Sequence, residues 1–198
     1  MIIGLVGKKS SGKTTITNYL VEKYNFIEYA LANPLKKIAN IFGFEDEYLY
    51  TTEEKKNIIH PILNISSRQF LQKFGTEICR DILPKILPNM NLGETNNIWI
   101  MLMEKFIEDR FMEVQFNNSQ SNNIIISDIR FDDEAQSLLK YDNILFIYIN
   151  RNILSNDTHI SEQGIDYYEP NIIIDNNGSL QELYQDIDNK LKKLLSIE

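Results

Sequence analysis

The sequence predicts an α/β fold: a parallel sheet of roughly five strands flanked by helices, with a helical insert between strands two and three. Three observations carry this expectation. Short aliphatic runs alternate with helical patterns, as strands buried on both faces do. The first run, Ile2-Ile3-Gly4-Leu5-Val6, leads straight into Gly7-Lys8-Lys9-Ser10-Ser11-Gly12-Lys13-Thr14, which has the G-x-x-x-x-G-K-[ST] spacing of a phosphate-binding loop (P-loop). The chain then closes on an amphipathic helix, Leu180 to Leu195, whose Leu183, Ile187, Leu191 and Leu194 share one face. At 198 residues with no second-domain linker, 1–198 reads as one P-loop domain.

The elements follow in order. A helix is expected from about Thr14, with Ile16, Leu20 and Val21 on its inner face. Phe26 to Leu31 reads as strand two, broken by Asn33-Pro34. Leu35 to Phe42 is a short helix stopped by Gly43. Glu45 to Asn64 is mixed and charged, without a clear period. Ser66 or Ser67 caps a helix reaching about Leu83, with Phe70, Leu71, Phe74, Ile78 and Ile82 as its apolar stripe. Arg68, Gln72, Thr76 and Arg80 recur at every fourth position on another side. Gly75 in mid-helix costs about 1 kcal/mol relative to alanine, which points to a close approach or a break.

Asn97 to Phe116 is helical and apolar nearly all round, so it is expected to be buried. The polar stretch Asn117 to Asn123 reads as a surface loop. Ile124 to Ser127 is a buried-type strand ending on Asp128, Phe131 to Lys140 a helix, Ile144 to Ile149 a strand, and Ile172 to Ile174 the last strand, followed by an Asn177-Gly178 turn. The helical insert spans about 34–116, and the irregular 151–168 stretch has the character of a lid.

Composition bounds the function. A net charge of −8 disfavours a protein that wraps a nucleic-acid polymer. No apolar stretch is long enough to span a bilayer, and no leader pattern precedes the first strand. The single cysteine, Cys79, excludes an internal disulfide and fits a reducing cytoplasm, or host cytoplasm for a viral chain; the Ile- and Asn-rich composition agrees with a viral source. With no cysteine partners, His60 and His159 make no zinc site. The arginines are Arg68, Arg80, Arg110, Arg130 and Arg151; in a lysine-preferring chain they either mark places where bidentate phosphate contact matters or are surface residues scattered by drift.

The loop is the chemical centre. Gly7 and Gly12 permit the tight turn, and N–H groups across Lys8, Lys9, Ser10, Ser11, Lys13, Thr14 and Thr15 face phosphate oxygens. Lys13 neutralises the β/γ-phosphates and Thr14 completes a Mg²⁺ shell. Asp128 ends an apolar strand, where a second Mg²⁺-organising carboxylate is expected, or else caps the next helix; Arg130 clamps phosphate or pairs with Glu134. A GTP-driven switch needs an N-K-x-D block, which the chain lacks.

Several blocks together resemble the deoxynucleoside monophosphate kinases of the large-phage type. They are Ala32-Asn33-Pro34-Leu35-Lys36, Gln72-Lys73-Phe74-Gly75-Thr76-Glu77, Trp99, Ser127-Asp128-Ile129-Arg130-Phe131-Asp132-Asp133-Glu134, Asn156 to Gly164, and Asn177-Gly178-Ser179-Leu180-Gln181-Glu182-Leu183. The resemblance implies a P-loop kinase fold and transfer of the ATP γ-phosphate to a deoxynucleoside 5′-monophosphate, with Mg²⁺. It implies that Lys9, Arg68, Gln72 and Thr76 meet the acceptor, with Arg80 and Trp99 behind. Lys13, Asp128, Arg130 and Arg151 would act catalytically, with Thr14 and Asp128 on the metal. It further implies a homodimer and a lid containing Arg151, His159, Ser161 and Glu162.

Many members carry Asp where this chain has Asn33. An acceptor phosphate with a second pKa of about 6 is ionised at neutral pH and needs no base. Phosphomevalonate and dephospho-coenzyme A kinases are the alternatives within the class. Phe70, Phe74 and Trp99 suit a stacked base better than a short aliphatic acid.

Overall fold

β1 (Ile2–Gly7) is buried along nearly its whole length, as expected of a strand with neighbours on both sides and helices on both faces. In the computed structural model, which describes residues 1–117, 123–152 and 169–195, it lies at the centre of a five-stranded sheet of order β2-β3-β1-β4-β5. Every pairing is parallel, through β2 (Ile27–Tyr29), β3 (Ile124–Ile126), β4 (Ile144–Asn150) and β5 (Ile172–Asp175). The chain runs from β1 to the β2 edge, returns through β3, and crosses β1 to reach β4. The order therefore reverses at β1, and ligands in open parallel sheets bind at the carboxyl edge of such a switch point.

The chain forms two compact units, Met1–Ala30 with Phe106–Glu198, and Leu31–Lys105. In the first, α1 (Lys13–Tyr24) and α9 (Leu180–Leu195) cover one face of the sheet. Ile16 and Leu20 from α1, and Leu183, Ile187 and Leu191 from α9, pack with Ile3, Leu5, Ile125, Ile147, Ile149, Ile172 and Ile174. Val21, expected inside, is 36% exposed, and Thr17 is buried in its place. Asp188 ties the two helices together, accepting from Tyr19 Oη at 2.8 Å, Tyr24 Oη at 2.7 Å and Lys23 Nζ at 2.5 Å. α9 starts on a capping box: Glu182 accepts from the Ser179 N–H at 2.7 Å, and its own N–H reaches Ser179 Oγ at 3.3 Å. α8 (Asp132–Leu138) follows β3.

The second unit is helical. α2 (Ala32–Ile41) begins three residues earlier than the expected start at Leu35 and takes in Asn33 and Pro34, because a proline in a first turn gives up only an N–H that has no intrahelical partner. α3 (Asp46–Leu49) and α4 (Glu53–Lys56) occupy the charged stretch. Ala39, Phe44 and Leu49 form this unit's core with Leu63, Ile65, Phe70 and Leu71 against it. His60, only 3% exposed, is fixed within it: Nδ1 accepts from the Ile62 and Leu63 N–H groups, and Nε2 meets Glu45 at 3.1 Å.

α5 (Ser67–Gln72), capped by Ser66 Oγ accepting from the Gln69 N–H at 3.2 Å, continues as a π-helical segment, Lys73–Ile82, and then α6 (Leu83–Ile86). This register changes the faces. Phe70 and Leu71 pack on the core as expected, but Ile78 and Ile82 are 42% and 44% exposed, while Gly75 and Cys79 are buried. A stripe read with i→i+4 geometry is turned outward once the hydrogen bonds run i→i+5.

α7 (Ile98–Asn117) buries Trp99, Ile100, Met103 and Ile107, but Lys105, Glu108 and Asp109 are exposed and Met112 is 52% exposed, so the helix is buried along one face and not all round as expected. The helix carries Glu104, Lys105, Glu108, Asp109, Arg110 and Glu113, which a fully dry environment would not take. Among the described residues no helix is long and apolar enough to cross a membrane. Residues 118–122 and 153–168, including His159, Ser161 and Glu162, lie outside the described residues, as does the proposed lid apart from its first two positions.

Candidate active site

Because all five strands run parallel, the residues that follow β1, β3, β4 and β5 collect at one edge of the sheet. The loop after β1 turns through Ser10 at φ 61° and Gly12 at φ 108°. The left-handed backbone is cheap only for the glycine. The Ser11 N–H closes a turn on the Lys8 carbonyl at 3.1 Å, and the Ile16 N–H reaches the Gly12 carbonyl at 3.1 Å as α1 begins. No acidic side chain stands in the first turn of α1, so the positive end of its dipole is left for an anion.

Lys13 lies over this loop, its Nζ donating to the Gly7 carbonyl at 2.5 Å and the Lys8 carbonyl at 2.9 Å. Its ammonium is thus held at the mouth of the turn. Lys9 and Thr15 are half-buried, Lys8, Ser10 and Thr14 are exposed, and Ser11 is enclosed. The loop presents the Lys13 ammonium and a set of backbone amides in one place, an arrangement matched to the oxygens of a polyphosphate.

Asp128 lies two residues past Ile126, the partner of Gly4, and is half-buried. Its turn is fixed by Glu134, which is 4% exposed and accepts from the Arg130 N–H at 2.8 Å and the Phe131 N–H at 3.1 Å. The Glu134 carboxylate therefore orients the backbone that carries Asp128 and Arg130. The Tyr29 hydroxyl is buried at the end of β2; burial, and then the charge of Asp128, raise this phenol above its ordinary pKa. Ser127 donates to Glu28 at 2.6 Å, so β2 and β3 are also joined through side chains at this edge.

Arg151 follows β4 and donates from Nη1 to the Ser10 carbonyl at 3.3 Å, against the P-loop itself. From β5, the Asn176 amide donates to the Ser11 carbonyl at 2.7 Å. Lys13, at the start of α1, and Asp128, Arg130 and Arg151, on the segments that follow β3 and β4, thus all stand at one edge of one sheet. Tyr29 and Asn176 are further residues of this edge that the motif search did not single out, and Glu134, expected only as a partner for Arg130, instead holds backbone N–H groups. For Glu134 a signal existed, a glutamate at the third position of a helix next to a strand-ending loop. For Tyr29 and Asn176 only the folded sheet supplies it.

Within the second unit, Arg68, Gln72, Thr76 and Arg80 are all half-buried along the α5–π-helical rod, a sheltered polar row beside buried Gly75 and Cys79. Trp99 is 6% exposed and donates its indole N–H to the Gly75 carbonyl at 2.9 Å. It braces the π-helical turn from behind the row. A side chain at Gly75 would come within 2.5 Å of Leu35 Cδ2, so the close approach expected at this glycine is real. Burial raises the Cys79 thiol above its ordinary pKa, which leaves it protonated and inert at neutral pH.

A family model described as deoxynucleotide monophosphate kinase matches residues 1–47 and 39–187. This chain belongs to the deoxynucleotide monophosphate kinase family. A protein of Acanthamoeba polyphaga mimivirus, described as a candidate deoxynucleotide monophosphate kinase, is 33% identical over 94% of this chain and 94% of its own length. The deoxynucleotide monophosphate kinase of Enterobacteria phage T4 is 24% identical over 98% of this chain and 99% of its own. That of Escherichia phage RB69 is 23% identical, with 96% and 99% covered. As a member of the deoxynucleotide monophosphate kinase family, the chain is a phosphotransferase whose acceptor is a deoxynucleoside monophosphate.

Proposed function

We propose that the phosphoryl donor is ATP, that Mg²⁺ accompanies it, and that the sheltered row of the second unit receives the acceptor. The observation that carries this reading is the loop of residues 7–14, with Lys13 held at its mouth and the amino end of α1 behind it. Thr14 and Asp128 supply a hydroxyl and a carboxylate, the hard oxygen donors Mg²⁺ prefers. Among the described residues no group of His, Cys, Asp and Glu could hold a metal alone, so the ion depends on phosphate oxygens and water for its other positions. When bound, it neutralises phosphate charge.

The protein's own groups do the rest. Lys13 and the loop amides, those of Gly7, Lys8, Lys9, Ser10, Ser11, Gly12, Thr14 and Thr15 among them, hold the donor phosphates and face the charge that grows as the γ-phosphoryl leaves. Arg130 and Arg151 add guanidinium charge on that group. Arg68, Gln72, Thr76 and Arg80 orient the acceptor phosphate and sugar, while Trp99 keeps the π-helical turn in shape. The acceptor oxygen is already ionised at neutral pH, so Asn33 in place of an acid costs no base. A homodimer belongs to the same reading, as the resemblance to the large-phage kinases implies. So does work in the cytoplasm, the host's for a viral chain, where the nucleotide pools are.

ADP release, coupled to an optical readout, tests the proposal with MgATP against each deoxynucleoside and ribonucleoside monophosphate and phosphomevalonate. Turnover with deoxynucleotides, lost in Lys13→Ala and Asp128→Asn, is expected. Turnover with phosphomevalonate alone, or hydrolysis indifferent to acceptor, overturns it. A purely monomeric species in sedimentation at working concentration removes the dimer.

A further inference from the structure

We infer that Asn176 is a positioning residue for the phosphate-binding loop: it sets the peptide between Ser11 and Gly12 so that the Gly12 N–H points away from Asn176, into the loop. The inference rests on the reading of this loop as the ATP site.

The geometry is a short chain of contacts within the first unit. The Asn176 side-chain amide donates to the Ser11 carbonyl at 2.7 Å. The described chain has no cis peptide, and in a trans peptide the N–H lies opposite the C=O. Holding the Ser11 oxygen on one side therefore aims the Gly12 N–H to the other, where the amides of such a loop converge on phosphate. Asn176 also forms a wall. A Cβ on Gly12 would stand 2.2 Å from its Nδ2, so position 12 excludes a side chain for this reason as well as for its φ of 108°.

Asn176 is itself held firmly. Its N–H donates to the Asn150 carbonyl at 2.8 Å, the Asn150 side chain donates to Asp175 at 2.7 Å, and the Asn152 N–H donates to the Asn177 side chain at 2.9 Å. The turn after β5 is thus bonded to the end of β4 on both sides of Asn176. A loop braced by a platform of this kind meets its ligand with its amides already set, and pays little ordering cost on binding.

Asn176→Leu keeps most of the side-chain volume and removes the donor without adding charge. Titration calorimetry would measure MgATP affinity without acceptor, then deoxynucleotide affinity separately, alongside thermal melting and the Gly12 amide resonance. The expected result is an ATP dissociation constant about fivefold to tenfold higher, as loss of one net hydrogen bond gives. Deoxynucleotide affinity stays near that of the unaltered protein, the melting temperature falls only by the few degrees that one lost hydrogen bond gives, and the Gly12 amide shifts. Asn176→Ala carries the same test should the leucine variant not fold. A folded variant that binds ATP as tightly as the unaltered protein overturns the inference while leaving the ATP site standing. Equal losses for both nucleotides with a lower melting temperature also overturn it, since a general structural tie behaves that way. Failure of the unaltered protein to bind ATP removes the proposed function, and this inference with it.

Discussion

The loop of residues 7–14 and the rod of residues 67–86 both carry polar groups fitted to phosphate, yet they reach that state by opposite routes. The loop is local: its glycines, its lysine and the following helix lie within a few residues of one another, and its bonds close on itself at Lys8, Gly12 and Gly7. The rod is not. Which of its sides is sheltered depends on a π-helical register that Trp99, 24 residues on from Gly75, helps to hold by taking the glycine's carbonyl. A short motif dictates most of its own geometry, with Asn176 and Arg151 bracing it from the ends of β5 and β4, whereas a long helix borrows its facing from whatever packs against it.

The largest effect expected from breaking this comparison is at Lys13. Lys13→Ala should lower kcat by about 100-fold to 1,000-fold, the scale of losing a donor aimed at developing charge, with little change in melting temperature. Retained turnover would mean the loop is not the donor site.

Trp99→Phe tests the rod. Removing the indole N–H leaves the Gly75 carbonyl without that donor and should cost about 1–3 kcal/mol in denaturant unfolding. The KM for the deoxynucleotide should rise while that for ATP holds. Equal changes in both would show that the row of Arg68, Gln72, Thr76 and Arg80 is not separately tuned.

A smaller effect is expected at Asp188 in the first unit. Burial acts to raise this carboxyl, but hydrogen bonds from Lys23, Tyr24 and Tyr19 prevail and hold it below its ordinary pKa. A depressed native pKa gives stability that is complete above the unfolded value, near 4, and is lost as pH falls through the native value. Melting curves from about pH 6 down to pH 3 should therefore fall less steeply for Asp188→Asn, by about 4 °C or less. Identical slopes would show that the cluster adds nothing to acid stability.

The smallest effect separates the two helical readings. Ile82→Gln should change stability by no more than about 0.5 kcal/mol, since Ile82 faces outward in the π-helical register. An inward stripe of ordinary α geometry would cost about 2 kcal/mol or more.

Much of the first unit is legible along the chain. The strands at Ile2, Ile124, Ile144 and Ile172 are aliphatic runs that only a sheet covered on both faces accepts, and the α9 face of Leu183, Ile187 and Leu191 repeats at helical spacing. Asp128 and Arg130 could be picked out because a strand end is itself a local signal. Glu134 was visible as a helix-start residue, but its grip on the Arg130 and Phe131 N–H groups needed the turn to form.

By itself, then, the sequence determined the phosphate loop, the α/β class and the residue types available at the sheet edge, because each is written in spacings shorter than one element. The tertiary structure alone decided that the order reverses at β1, which brings the ends of β3, β4 and β5 to one edge with the loop. It likewise decided that Ile78 and Ile82 face out and that Asn176 meets Ser11 across 165 residues of chain. Such outcomes depend on which strands pair and which carbonyl finds a distant donor, and these are settled by long-range contacts that no local pattern encodes.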